Sequence, residues 1–449
     1  MSRRVVITGV GCLTPLGNSV KESWSNLLNS KQCLTSIQDL PNFTETYEPY
    51  LNHLPKDLKV GKCKPFDYDS IENLFTKQDN RRLSISMKNS IVTTYMALQQ
   101  AKLIKQSNNN SNNPTEWIDS IDPHRVSTSI GTGLPAINEI FQESISMSLK
   151  NKKPSPMFIP KILSNMIAGS VSIKFNAQGC SQTMSTACAT GNNSIIDGFN
   201  NIKNGYSNVA IVGATEESLH PLTIAGFHRL KSLSTTSNSR PFDTERDGFV
   251  ISEGTGVMIL EELEHARKRV AQNESNVKIL AELVSCGMSS DAYHITSPME
   301  HGEGAQRSIE MALSNGKIDS SEINYINAHA TSTPVGDQAE IFAISKILEK
   351  QEGTNTVYVS SNKGSMGHLL GASGLVESIF TIMTLMTGNI PHTLNLENEL
   401  AVPISSGISN KIHLVKNKPI QDKSIKHAIA NSFGFGGVNT SLLFKKWED

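Results

Sequence analysis

Short runs rich in β-branched residues alternate along the chain with stretches whose apolar positions recur every three to four residues. The short runs are nearly continuous, the pattern of strands buried on both faces, and the longer stretches carry the helical period. This pattern predicts strands at Arg4–Thr8, Arg125–Ile130, Val209–Val212, Gly256–Glu261, Ile279–Cys286, Ile323–Asn327, Val357–Ser360, Ile412–Leu414, Ile425–Asn431 and Thr440–Phe444. It predicts helices at Val20–Asn29, Ile85–Ala101, Ala189–Lys203, Gly304–Ser314, Asp337–Leu348 and Gly374–Met386. Such alternation belongs to an α/β chain whose sheets are covered by helices. Ser107–Pro114 is a low-complexity polar connection, and Asn151–Pro156 is a second surface connection. The chain turns polar at Arg267–Ser275, which divides it into halves at 1–270 and 271–449.

Charge adds an exclusion. Among 449 residues, 41 Lys and Arg face 42 Asp and Glu, a formal net charge of −1. Nothing there favours binding to nucleic acid or to an anionic membrane surface. The longest apolar helical run, Leu375–Met386, is interrupted by Glu377 and falls short of the ~20 residues that span a bilayer, so no membrane span is expected. The six cysteines lack paired spacing, which excludes a disulfide framework and a zinc site and suits a reduced, intracellular chain. Met1-Ser-Arg-Arg runs directly into the first strand, so a cleavable presequence is expected to be either absent or already removed.

Two glycine pairs, Gly9/Gly11 and Gly131/Gly133, resemble starts of a dinucleotide-binding turn. Thr14 stands where the first needs its third glycine, and Pro135 follows the second, so both read as tight turns. Ser185-Thr186-Ala187-Cys188-Ala189-Thr190-Gly191 says more, because small residues flank a cysteine and a helix begins directly after it. A helix N-terminus lowers a thiol pKa, and a nucleophile needs its thiolate. A lone cysteine in such a turn is usually just a small buried side chain; partners decide. His329, in Asn327-Ala328-His329-Ala330-Thr331-Ser332-Thr333, and His368, in a glycine-rich turn before an apolar helix, both follow predicted strands. Chemistry in α/β sheets gathers at strand C-terminal ends. The ten other histidines, among them His53, His265 and His392, lack such surroundings and read as surface residues. Lys363 and Glu340 read either as surface charges or as a buried pair orienting the site, and Glu377 as exposed or liganded. Asn431-Ser432-Phe433-Gly434-Phe435-Gly436-Gly437 suggests a movable aromatic gate or a backbone N–H aimed at a reacting oxygen.

Together the Cys188 and His329 segments, Ser361-Asn362-Lys363-Gly364-Ser365-Met366-Gly367-His368 and the Asn431–Gly437 segment resemble the signature blocks of β-ketoacyl-acyl-carrier-protein synthases, elongating condensing enzymes of the thiolase-like superfamily. The likeness runs from Arg4 to Lys446 and takes in Arg240–Gly248 and Gly287–Ala292. Ala330, where many bacterial members have glycine, and the Asn-rich loop resemble the mitochondrial members of yeasts. The resemblance implies a thiolase fold: two similar halves, each with a mixed five-stranded sheet, in α-β-α-β-α layers, as a homodimer. It implies that Cys188 accepts the acyl chain, that His329 and His368 promote decarboxylation of a malonyl thioester, and that Lys363, with Glu340 as ionic partner, fixes the His368 side. The N–H groups of Cys188 and Phe435 would form the oxyanion hole, and Thr331 and Thr333 would bond the pantetheine arm. Leu134, Phe227 and Phe435 would line the acyl pocket. Asn327, Glu377 and Asn431 correspond to a monovalent-cation site for Na+ or K+, and no organic cofactor is required. Further expectations are an acyl carrier protein partner docking on Lys77, Arg81, Arg82 and Lys231, and a place in the mitochondrial matrix.

The residue types suit this chemistry. A thioester needs a soft nucleophile, and a developing enolate needs donors that neutral imidazoles can supply. A coenzyme A thiolase would need a second catalytic cysteine late in the chain, and only Cys286 lies beyond Cys188. A chain-length-factor-like partner subunit would lack the nucleophile.

Overall fold

The computed structural model describes residues 3–105, 114–271, 277–349, 356–401 and 411–448. Residues 107–113 of the polar connection and 272–275 of the polar turn lie outside the described residues. All ten strands read from the hydrophobic pattern are present, and five two-residue strands are added among the described residues, of which Ser181–Gln182 joins the main sheet. Among the described residues one sheet holds eleven strands: β1 (Val5–Leu13), β2 (Val126–Gly131), β3 (Ser181–Gln182), β4 (Val209–Glu216), β5 (Gly254–Glu262), β6 (Ala281–Ser290), β7 (Tyr325–Asn327), β8 (Val357–Ser360), β9 (Ile412–Leu414), β10 (His427–Gly434) and β11 (Val438–Lys446). Their order is β9-β8-β7-β10-β11-β6-β1-β5-β4-β2-β3.

The order contains a duplication. In the first half β1, β5 and β4 are antiparallel neighbours, and β2 and β3 continue in parallel. In the second, β6, β11 and β10 are antiparallel neighbours, and β7, β8 and β9 continue in parallel. The expected pair of five-stranded sheets is corrected in two respects: the second half contributes six strands to the sheet, and Val5–Ile7 of β1 pairs with Ala281–Leu283 of β6 and joins the halves. Backbone groups on two buried edges would otherwise lack partners, and this short ladder satisfies them.

Strand alternation builds the layers. Val209 and Ile211 of β4 pack against helices α1 (Ile85–Gln100) and α2 (Asn165–Phe175), through residues such as Ile91 and Val171. Ala210 and Val212 point the other way, toward α3 (Thr190–Lys203). In the second half Ile429 of β10 packs with α4 (Glu303–Gly316) and α5 (Pro334–Glu349). Ala428 and Ala430 face the same middle layer as α3, which is shared with α6 (Ser373–Thr387). The result is the expected α-β-α-β-α stack.

The middle layer explains why α6 is so apolar. Leu370–Thr387 is long and apolar enough by composition to cross a membrane, contrary to the sequence reading, but most of it is buried inside the protein. It is a core helix wrapped by both halves. Gly9 and Gly11 are also reassigned: they lie within β1 rather than in a turn, where α1 passes too close for any side chain.

Candidate active site

Cys188 sits on a sharp turn, Ala187–Ala189, that feeds directly into α3. Ala187 has φ +49, a conformation non-glycine residues seldom adopt outside constrained sites. The turn is held from several sides. The Thr186 N–H donates to Thr190 Oγ1 at 2.9 Å, Asn193 Nδ2 donates to Thr186 Oγ1 at 2.9 Å, and the Ser432 hydroxyl donates to the Cys188 carbonyl at 2.9 Å. The run of small residues is needed because β10 passes so close: a Cβ on Gly434 would lie 2.6 Å from the Thr186 carbonyl oxygen. The thiol does not have the lowered pKa expected from the helix N-terminus. Burial pushes it up to about 12, with Lys363 opposing. The resting nucleophile is a thiol, and it needs a proton acceptor.

That acceptor is in contact. His368 Nε2 lies 3.0 Å from Cys188 Sγ, and Nδ1 lies 2.8 Å from the hydroxyl of Ser373, the first residue of α6. The His368 N–H donates to the Val250 carbonyl at 2.8 Å, its carbonyl accepts from the Ser252 N–H at 2.9 Å, and its ring meets Phe249 edge to face. His329, two residues past β7, places its ring centroid 5.5 Å from that of His368, with Phe433 on another side. Its Nδ1 has no hydrogen-bond partner among the described residues. Burial, with Lys363 nearby, holds both imidazoles well below the ordinary histidine pKa, so both are neutral at physiological pH.

The buried charges pair differently from the expectation. Lys363 forms its ion pair with Glu377 of α6, and both side chains are buried. Glu340 is not the partner of Lys363. Its carboxylate accepts from the N–H groups of His329 at 2.9 Å and Ala330 at 2.7 Å, and from Asn431 Nδ2 at 3.0 Å. The α5 helix carries Glu340 under the loop leaving β7, so the side chain meets that backbone first. Burial pushes Glu340 and Glu377 each up to about 7. Asn327 Nδ2 donates to Asn362 Oδ1 at 2.9 Å and to the Glu377 carbonyl at 3.0 Å. Asn327 Oδ1 and Glu377 Oε2 lack partners among the described residues, whereas Asn431 Oδ1 accepts from the Ser441 hydroxyl at 2.8 Å.

Cys188, His329 and His368 open onto one cavity of about 400 Å³. Thr331, Thr333, Phe227, Phe435 and Lys231 line it too, with the two threonine hydroxyls 3.1 Å apart. Leu134 does not line it; it packs in the apolar cluster behind Phe227. Lys77, Arg81 and Arg82 are exposed at and beside the short helix Asp79–Arg82, away from the cavity lining. The Gly434–Gly437 loop is latched to its neighbour: the Gly436 N–H donates to the Ile295 carbonyl at 2.8 Å, and the Asp291 N–H to the Gly437 carbonyl at 2.9 Å.

Sequence reasoning overlooked Ser373 and Glu216. A serine at a helix start carries no distinguishing signal, and Glu216 lies past the predicted strand Val209–Val212, in an extension that only the structure shows. It also misplaced several histidines. His220, His392 and His427 are buried and His265 bonds Glu261, while His53 alone of the three named examples is exposed. Imidazole is amphipathic, and neighbouring residues in the chain do not reveal whether it is covered.

Comparison with known proteins agrees with this geometry. Residues 2–266 match the family model described as beta-ketoacyl synthase, N-terminal domain, and residues 280–397 match the beta-ketoacyl synthase, C-terminal domain. The 3-oxoacyl-[acyl-carrier-protein] synthase homolog of Saccharomyces cerevisiae is 50% identical, with 100% of each chain covered. The mitochondrial 3-oxoacyl-[acyl-carrier-protein] synthase of Arabidopsis thaliana is 38% identical over 98% of this chain and 93% of its own. A type II polyketide ketosynthase solved with its acyl-carrier protein superposes with a TM-score of 0.81 at 26% identity, over 100% of both chains. With its duplicated thiolase fold and a cysteine held against a neutral histidine at the centre, the chain belongs to the β-ketoacyl synthase family.

Proposed function

We propose that the protein elongates acyl chains by decarboxylative Claisen condensation on an acyl carrier protein. The carrying observation is the Cys188 thiol 3.0 Å from the neutral His368, beside a second neutral imidazole in one cavity. Cys188 attacks the acyl-carrier thioester, its proton passes toward His368 Nε2, and the carrier thiol leaves. The acyl chain is then held on sulfur. Malonyl-carrier enters the same cavity, with Thr331 and Thr333 placed to bond its pantetheine arm. Loss of carbon dioxide leaves an enolate whose oxygen is stabilised by N–H donation from the two imidazoles. The enolate carbon attacks the acyl carbonyl, whose oxygen is received by the N–H groups of Cys188 and Phe435. Expulsion of the Cys188 thiolate gives 3-oxoacyl-carrier, two carbons longer. Neutral imidazoles suit this step because they donate without a fixed charge in a dry site. No organic cofactor enters. The unpartnered oxygens of Asn327 and Glu377 would suit a monovalent cation, Na+ or K+, which would order the strand and helix behind Lys363.

His329→Ala should lower carbon dioxide release from malonyl-carrier by ~10²–10³, the usual cost of losing one transition-state donor. Labelling of Cys188 by acyl-carrier should persist, since the sulfur's hydrogen-bond partner is His368 rather than His329. Carbon dioxide release at the wild-type rate would remove His329 from the reaction. Mass identification of products from malonyl-carrier and acyl-carriers of graded length tests the condensation as a whole.

The carrier is acidic, so the cavity mouth should attract it. Lys231 lines the cavity and is exposed, which favours it over Lys77, Arg81 and Arg82, which do not line it. Lys231→Glu should raise KM for acyl-carrier about fivefold at low salt, roughly 1 kcal/mol, and the effect should shrink at high salt. If Arg81→Glu with Arg82→Glu has the larger effect, docking centres on that helix instead.

We further infer a homodimer in the mitochondrial matrix. The Arabidopsis relative is named mitochondrial. The helix Ile137–Lys150 buries none of its residues, leaving Met147 and Leu149 exposed, and Ile159, Leu163 and Ile173 are exposed as well. Apolar surface of that extent is what a second copy would cover. Sedimentation of the purified protein tests the dimer.

A further inference from the structure

One buried carboxylate at the site has no part in the chemistry above. Glu216, the last residue of β4, is 2% exposed. Its Oε2 accepts from the N–H groups of Gly133 at 3.0 Å and Gly371 at 3.1 Å, the Leu134 N–H also contributes, and its Oε1 accepts from the Ser218 hydroxyl. Gly133 lies in the loop leaving β2, and Gly371 lies three residues past His368 in the turn that opens α6. The two segments cross around this carboxylate. A Cβ on Gly371 would sit 2.4 Å from Gly133 N, and one on Gly133 would sit 2.7 Å from Glu216 Oε2 and 3.3 Å from the carbonyl oxygen of Ala187, the residue before Cys188. Glu216 therefore links the loop in front of the Leu134–Phe227 cluster to the turn that carries His368.

We propose that Glu216 is a positioning residue for the condensation, acting in its ionised form to hold the Gly133–Leu134 loop and the His368 turn in register about Cys188. The proposal rests on the condensing reading given above. The backbone N–H groups of Gly133, Leu134 and Gly371 can only donate, the Ser218 hydroxyl donates as well, and only an ionised carboxylate has lone pairs for all four. Protonation would take away acceptor lone pairs and the charge that strengthens the bonds from the two loops, and so weaken their hold. Burial pushes the carboxyl up to about 7, with Ser218 and the backbone N–H groups pulling it down, so it titrates near physiological pH. The titratable groups on elements packed against it are Cys188, whose thiol its charge pushes upward, and His368. Its neighbours Glu217 and Glu253 are engaged elsewhere: Glu217 accepts from Ser86 at 3.2 Å and Glu253 pairs with Lys62 at 2.9 Å.

The test is the pH profile of single-turnover acylation of Cys188 by acyl-carrier, for the wild type, Glu216→Gln and Ser218→Ala. As pH falls through about 7 the wild-type rate should drop, because the acceptor is lost. Glu216→Gln should lower the plateau about tenfold, since its amide N–H₂ opposes a backbone donor, and should erase this acid limb. Ser218→Ala removes a donor that favours the charge, so its limb should move to higher pH while the plateau stays reachable. Glu340 and Glu377 also sit near 7, but a limb from either would survive unchanged in both variants. An identical limb in all three proteins overturns the proposal, as does a loss in the Gln variant that only tracks a lower melting temperature. Should the Gln variant fail to fold, the Ser218→Ala shift decides alone. Acylation without any chain elongation would count against the condensing reading and leave the Glu216 result standing.

Discussion

Cys188→Ala is expected to remove acyl transfer and condensation, by a factor on the order of 10⁴–10⁶, as loss of a covalent nucleophile does. The fold should survive. The turn that carries Cys188 is held by Thr186, Thr190, Asn193 and Ser432 through bonds that do not involve the sulfur, so alanine fits the same backbone. Cys188→Gln separates the two half-reactions. Its amide stands where the acyl thioester would lie, while His329 and His368 keep their places, so carbon dioxide release from malonyl-carrier should continue without a condensed product. Mass spectrometry of the protein after incubation with acyl-carrier, together with carbon dioxide measurement, checks both variants. Normal condensation by the alanine variant would require another nucleophile, and the five remaining cysteines could then be tested in turn.

Lys363→Met should be the most damaging substitution to stability among the site residues. It leaves Glu377 buried in α6 without its cation, which typically costs about 3–5 kcal/mol. The sign of its pH dependence follows from Glu377. Burial already holds this carboxyl near 7, above its unfolded value, and Lys363 is the group that pulls it down. Without Lys363 the folded pKa rises further, so the variant should gain stability as pH falls toward the unfolded pKa and lose it as pH rises. Denaturation midpoints of the variant at pH 6 and pH 8 measure this directly. Lys363→Met combined with Glu377→Leu should recover most of the lost stability, because replacing both members with apolar groups removes the unpaired charge. Activity should not return with it, since Lys363 acts on both imidazoles and on the thiol. A double variant no more stable than the single one would show that the ion pair is not what holds α6 in place.

Much of this protein could be read from local order along the chain. Val357–Ser360 and Ile412–Leu414 are strands with the predicted boundaries, because the alternation that buries Val357 and Val359, and Ile412 and Leu414, is a property of neighbouring residues. The same is true of Cys188, His329 and His368: each lies in its own short block of small residues, and the chemistry each block permits is written within it. Tertiary structure decided what depends on distance in space. Glu340 and Glu377 lie on different helices, and only the packing of α5 under the β7 loop and α6 in the middle layer turns Glu377, rather than Glu340, to Lys363. The thiol was expected to be acidic from the helix that follows it, but desolvation depends on everything around the sulfur, and burial outweighs the helix. The ladder between β1 and β6 and the crossing of loops at Glu216 have no local signature at all, since each joins residues far apart in the chain. Residue type and spacing determine which groups are available for chemistry; which of them meet, and in what charge state, is set by the contacts that close only when the two halves pack.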